Sequence, residues 1–146
     1  MKGIELELRG VAFQARLLEE LAPQTCQALW QALPLTAQAV HARWSGNLIR
    51  TLEPLPIRME TLEHAFGFQY PGLVIYSPAD HSLAIAYGDA RLRGAAGPCY
   101  VTPVAELVGD LATFAEVAAT LQWEGVAPLS LRPAEVTVPV AQPTGT

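Results

Sequence analysis

Between Ala15 and Arg50 the hydrophobic period changes twice, from two to about 3.6 and back to two. Ala15 and Leu17 close an alternating run, and Glu19 to Ala22 links it to Pro23. Proline is favoured in the first turn of a helix, where its missing N–H has no partner to lose, so Pro23 marks a helix start. Cys26, Leu29, Trp30 and Leu33 then recur at helical spacing until Pro34 stops the run. Trp30, an aromatic within that apolar stripe, is read as core. Thr36 to Trp44 alternates again, with Val40, Ala42 and Trp44 on one face and Ala39, His41 and Arg43 on the other. Ser45-Gly46-Asn47 turns the chain back through Leu48 to Leu52 as a hairpin. A strand, a helix and a hairpin in so short a span predict a sheet with a helix packed on it by one face.

The flanking sequence extends this pattern. Ile4, Leu6 and Leu8 alternate with Glu5, Glu7 and Arg9, and the alternation resumes from Val11 to Leu18, which predicts a hairpin turning tightly at Arg9 and Gly10. Glu53 to Pro71, broken by Pro54, Pro56 and Gly67, reads as a long connection with a helical turn around Met59 to Phe66; connections of this length are functional or mobile. Gly72 to Tyr76 and Leu83 to Tyr87 are two short apolar strands, and Ala90 to Arg93 a short basic one at an edge. Gly94 to Pro98 lacks the glycine spacings of a phosphate-binding loop and is read as a plain loop. Tyr100 to Leu107 is a further strand. Asp110 is the expected N-cap of a helix carrying Leu111, Phe114, Val117, Ala118 and Leu121 and closing near Gly125, and Pro128 to Arg132 is the last strand. Residues 1–132 thus form one domain. In the tail, residues 133–146, Val136, Val138 and Val140 suit an edge strand, and Gln142 to Thr146 is expected to fray.

Composition narrows the function. With 51% apolar residues, 16% charged residues and a net charge of −5, the chain suits a compact fold and has no basic stripe to neutralise nucleic-acid phosphates. Cys26 and Cys99 have no metal or redox spacing and are expected to be buried thiols. Neither a signal peptide nor a long apolar span is apparent, so a cytoplasmic protein with no membrane partner is expected. The uncharged valine-rich tail favours a homo-oligomer, since such edges pair with other chains.

The best site candidate is the strand end that places His41 and Arg43 side by side, with Trp44, Tyr76 and Tyr100 as aromatic walls. His41, His64 and His81 match no local metal-ligand spacing, so no metal is expected. Ser45 and Ser77 lie in no nucleophile elbow that would recruit His81 and Asp80. No cofactor is expected.

The element order, two hairpins around a proline-started helix, then strands, a second helix and a closing strand, resembles the cyclophilin-like fold: a closed, mainly β barrel with two capping helices. The segment Leu17 to Leu33, a strand leading to Pro23-Gln24-Thr25, is similar to the cyclophilin segment that runs from strand to Pro-x-Thr. Tyr100 to Arg132 resembles the end of that fold, so the likeness covers residues 4 to 132. His41-Ala42-Arg43-Trp44-Ser45-Gly46 is closer still to a bacterial cyclophilin-like family of unknown function, the DUF3830 group. The resemblance to cyclophilins implies peptidyl-prolyl isomerase activity, in which an arginine draws the prolyl nitrogen out of amide resonance. Here Val40 stands where the isomerases carry an aromatic, and Ala42 separates His41 from Arg43. Binding of a small carboxylate or amide in a surface groove is therefore the favoured reading, with isomerisation and a non-catalytic oligomeric interaction module as alternatives.

Overall fold

A computed structural model describes residues 1–94 and 97–137. Hairpin strands β1 (Lys2–Leu8) and β2 (Val11–Leu17) are joined by Arg9 and Gly10, both at positive φ (50° and 78°), the two-residue turn whose twist suits a hairpin. Helix α1 (Pro23–Ala32) begins on its proline, and the Leu33–Pro34 peptide that follows it is cis. Next come β3 (Leu35–His41), a 3-10 turn (Arg43–Ser45) and β4 (Gly46–Thr51). Beyond the long connection lie β5 (Leu73–Ser77) and β6 (Ser82–Ala90). A small ribbon of β7 (Arg93–Gly94) and β8 (Gly97–Pro98) precedes β9 (Thr102–Val108). Helix α2 (Leu111–Ala119), the short α3 (Leu121–Glu124) and β10 (Ala127–Glu135) complete the described chain.

Eight strands close a barrel in the order β1-β10-β3-β4-β6-β5-β9-β2, with every pairing antiparallel. This is the closed, mainly β barrel with helical caps that the sequence predicts. Its core takes Ile4, Leu6 and Leu8 from β1, Val74 and Tyr76 from β5, and Leu83 and Ile85 from β6. Both helices pack on the same core: α1 through Cys26 and Leu29, α2 through Phe114, whose ring meets Phe13 edge-on at 5.1 Å. Asp110 caps α2 as expected, accepting from Thr113 N–H at 3.0 Å.

A second apolar cluster lies on the opposite face of β5 and β6, where Leu73, Ile75, Ala84 and Ala86 meet Leu18, Leu48, Ala90, Leu92 and Val101. Two buried faces explain why β5 and β6 read as unbroken apolar runs rather than alternating ones. Part of the cover is the long connection. It holds no helical turn at Met59 to Phe66, contrary to expectation, because its polar groups are used against the barrel. Leu55 N–H donates to His81 O (2.8 Å), Ile57 O accepts from Tyr76 Oη (2.8 Å), and Phe66 exchanges two 2.8 Å bonds with Val101. Glu63 reaches furthest, accepting from Thr25 N–H (2.6 Å), Thr25 Oγ1 (2.7 Å) and Gln24 N–H (3.2 Å) at the start of α1. A remote carboxylate thus supplies the cap that the chain around Pro23 lacks.

Several boundaries differ from expectation. Strand β3 ends at His41 rather than Trp44, and the basic stretch divides, with Ala90 ending β6 and Arg93 opening β7. The last strand runs on to Glu135, which pairs with Lys2. Of the expected edge strand at Val136, Val138 and Val140, Val136 lies just beyond β10 with its N–H on Met1 O (2.9 Å), while Val138, Val140 and the expected fraying at Gln142 to Thr146 lie outside the described residues. No helix among the described residues is long and apolar enough to cross a membrane.

Candidate functional site

The site begins where β3 stops. Ala42 N–H still pairs with Leu48 O (2.9 Å), but Ser45 N–H turns back to Ala42 O (2.8 Å), closing the 3-10 turn. Gly46 leaves that turn at φ 103°, and a Cβ there would lie 2.8 Å from Asp89 O, so only glycine lets the turn approach β6 this closely. Ser45, buried, then holds the segment after β6: its carbonyl accepts from Arg91 N–H (2.8 Å) and its Oγ from Arg93 N–H (3.0 Å). Trp44 Nε1 donates to Arg93 O at 3.2 Å.

Gln69 grips the same segment. Its backbone exchanges bonds with Ala90 (2.9 and 3.2 Å), and its fully buried side chain accepts from Leu92 N–H at 2.8 Å. Leu92 therefore points into the second apolar cluster, while Arg91 and Arg93 on either side of it point to solvent. Beside Arg91 lies a cavity of about 260 Å³ lined by Gly67, Phe68, Arg91, Pro98, Cys99 and Tyr100. Phe68 is 49% exposed and Tyr100 68%, far more than rings packed into a core. Gly67 forms part of the wall under Tyr100, where a Cβ would sit 3.2 Å from the Tyr100 ring.

Electrostatics single out this face. Of nine lysines and arginines in a chain of net charge −5, Arg43, Arg91 and Arg93 are exposed on the 3-10 turn and the segment it braces. Among the described residues none of the three forms an ion pair. A guanidinium between aromatic walls suits a planar anion, to which it can offer two parallel N–H donors.

The residues singled out in the sequence separate. Trp44 bonds the Arg93 carbonyl, and Tyr100 lines the same cavity as Arg91. Arg43 is exposed on the turn, but His41 is not beside it on a common strand face: His41 points inward and is 8% exposed. Gln122 Nε2 donates to Tyr87 Oη (3.0 Å), and His41 Nε2 lies 2.6 Å from the same hydroxyl. The other ring nitrogen, Nδ1, has no partner among the described residues. Burial, and then the charge of Arg43, hold the His41 pKa below its ordinary value, so the ring is neutral. Tyr76 is no groove wall. It is fully buried in the barrel, its hydroxyl bound to Ile57 O and to His81 Nδ1 (2.7 Å). Cys26 is buried as expected, whereas Cys99 is only half-buried because it lines the groove. Trp30 packs against the core yet lines a separate cavity. Phe68, Arg91 and Arg93 went unrecognised in the sequence, although Phe66-Gly67-Phe68 and Arg91-Leu92-Arg93 both stand out as short alternating motifs.

A family model described as a protein of unknown function, DUF3830, matches residues 4–132. The chain belongs to the DUF3830 family. No curated protein matches this DUF3830 sequence. Among solved structures it is similar to McbB in complex with tryptophan, with a TM-score of 0.72 and 24% identity over 96% of this chain and 48% of McbB. It therefore spans about half the length of McbB. It is also similar to the solution structure of the hypothetical protein AF2241 from Archaeoglobus fulgidus, with a TM-score of 0.61 and 18% identity over 90% of this chain and 93% of that one. Both likenesses are of fold and agree with a barrel of the cyclophilin-like kind.

Proposed function

We propose that this DUF3830 protein binds a small carboxylate with an aromatic or apolar side group in the groove between Phe68, Arg91 and Tyr100. The observation that carries the reading is the convergence of one exposed guanidinium and two exposed rings on a concavity of about 260 Å³. Arg91 would clamp the carboxylate, while Phe68 and Tyr100 cover the side group. Arg93 and Arg43 add positive potential that draws an anion to this face of an acidic protein. The volume suits a ligand of amino-acid size, and the tryptophan in the McbB complex is of that class. Tryptophan and its primary amide are accordingly the first probes.

Calorimetry of wild type, Arg91→Ala and Phe68→Ala with both probes tests the proposal. Wild type should prefer the acid to the amide, and Arg91→Ala should lose that preference together with about tenfold or more in affinity, the scale of a hydrogen bond to a charged group. Binding of acid and amide with equal affinity, or no loss in Arg91→Ala, would reject it. A proline-containing peptide in the same series tests isomerase-type recognition. A second reading, an oligomer-forming module, is favoured by Trp123 and Val126, which are 70% and 48% exposed around the end of α3. Sedimentation of Trp123→Ala against wild type separates it from the first, because a groove ligand needs no change of assembly.

A further inference from the structure

A second cavity, of about 320 Å³, lies where β1, β2 and α1 meet, away from the Arg91 groove. Leu17 and Cys26 are its buried members; Lys2, Glu19, Gln27, Trp30 and Gln31 line it with polar groups and one indole. Its charges have an informative order. Nearby Arg16 is engaged with Glu20 (3.4 Å) and Glu106 (3.5 Å), whereas Glu19 is exposed and forms no ion pair among the described residues. Lys2 places its ammonium over the Trp30 ring, 5.0 Å from the centroid, rather than on a carboxylate. Burial first, and then the carboxylates of Glu19, Glu63 and Glu20, push the Cys26 thiol up to about 12. The cavity thus combines an aromatic face that already takes an ammonium with a carboxylate, Glu19, that forms no ion pair among the described residues, the pairing that suits an organic cation.

We infer that this cavity is a binding site for a small organic cation of the quaternary ammonium class, which stacks on Trp30 with Glu19 as counter-ion and displaces the Lys2 ammonium. Lys2 is then an internal competitor. Its flexible, exposed side chain occupies the ring until a better-fitting cation removes it, and its own charge returns to water at little cost. A permanently methylated ammonium has the advantage because it is weakly hydrated and loses less on leaving water.

The test follows the Trp30 indole N–H signal in nuclear magnetic resonance spectra, assigned with Trp30→Phe, during titration with tetramethylammonium and with its uncharged analogue neopentyl alcohol. Trp44 and Trp123 are internal controls. The cation should move the Trp30 signal saturably and leave the other two unmoved. Glu19→Gln should weaken binding by about threefold or more, and Lys2→Ala should tighten it by about two- to fivefold, the worth of the displaced contact. Both side chains are exposed, and the dispersion of each variant's spectrum verifies its fold. The inference is overturned if the Trp30 signal fails to move in both wild type and Lys2→Ala up to tens of millimolar cation, if all three indoles respond alike, if neopentyl alcohol binds as well as the cation, or if Lys2→Ala does not tighten binding.

Discussion

Strand β1 sets Ile4, Leu6 and Leu8 against the core and turns Glu5 and Glu7 outward, whereas β6 buries Leu83, Ala84, Ile85 and Ala86 in succession. The two strands share one barrel; what differs is what lies outside it. Beyond β1 is solvent, where Arg132 of β10 pairs with Glu5 and lies 3.9 Å from Glu7. Beyond β6 lies a layer to which the 3-10 turn, the connection before β5, and Ala90, Leu92 and Val101 contribute. The groove of Phe68, Arg91 and Tyr100 is cut into that layer, not into the barrel. On the covered side irregular chain is held against the barrel firmly enough to shape a groove.

The contrast is broken most directly at Ile75, fully buried on the outer face of β5. Ile75→Ala should cost about 2–4 kcal/mol in urea unfolding, as a core isoleucine does. A loss under ~1 kcal/mol would show that the cover is not packed and that both sides of the barrel behave alike. A smaller effect is expected at Glu63, which ties the covering connection to α1. Glu63→Gln should cost about 1 kcal/mol, the range of a lost helix cap. Burial raises the Glu63 pKa, but the bonds from Thr25 and Gln24 together outweigh it, and the net value lies below 4.5. Folding thus favours the ionised form: the stabilisation is complete above the unfolded value near 4.5 and is lost as pH falls through the lower folded value. The difference in melting temperature between wild type and Glu63→Gln should be constant near neutrality and close on acidification; a difference that widens in acid would refute the assignment. The smallest effect belongs to the wet side. Glu5→Gln, which removes the partner of Arg132, should change stability by less than ~1 kcal/mol and by less still in high salt. A larger cost, measured by the same urea series, would mean that the outer face of β1 is more than a solvated surface.

The sequence showed the wet side more fully than the covered one. Glu5 and Glu7 betray the orientation of β1 because one face meets water and the other oil, and Arg9-Gly10 suits the tight hairpin turn found there. The β5 and β6 runs announce burial without announcing what buries them, since two covered faces erase the alternation that would orient a strand. The same ambiguity blurred the end of β3. Alternation through Trp44 suggested that β3 continued, but Arg43 and Trp44 belong to a turn braced by Ser45, whose partners lie more than forty residues ahead. Tyr76 and Tyr100 look alike in sequence. One is sealed in the core because it stands on the inward phase of β5, and the other stands 68% exposed just before β9.

By itself the sequence determined the mainly β class, the start of α1 at Pro23, the Asp110 cap and the first hairpin, because each depends on neighbours within a few residues and on the period of apolar side chains. Tertiary structure alone decided that Phe68, Arg91 and Tyr100 share a groove, that Glu63 caps a helix nearly forty residues behind it, and that His41 faces Tyr87 rather than standing beside Arg43. The physical reason is that local conformation is set by short-range sterics and solvation. Which distant groups converge is set by closure of the barrel and by the layer that must cover its apolar outer face.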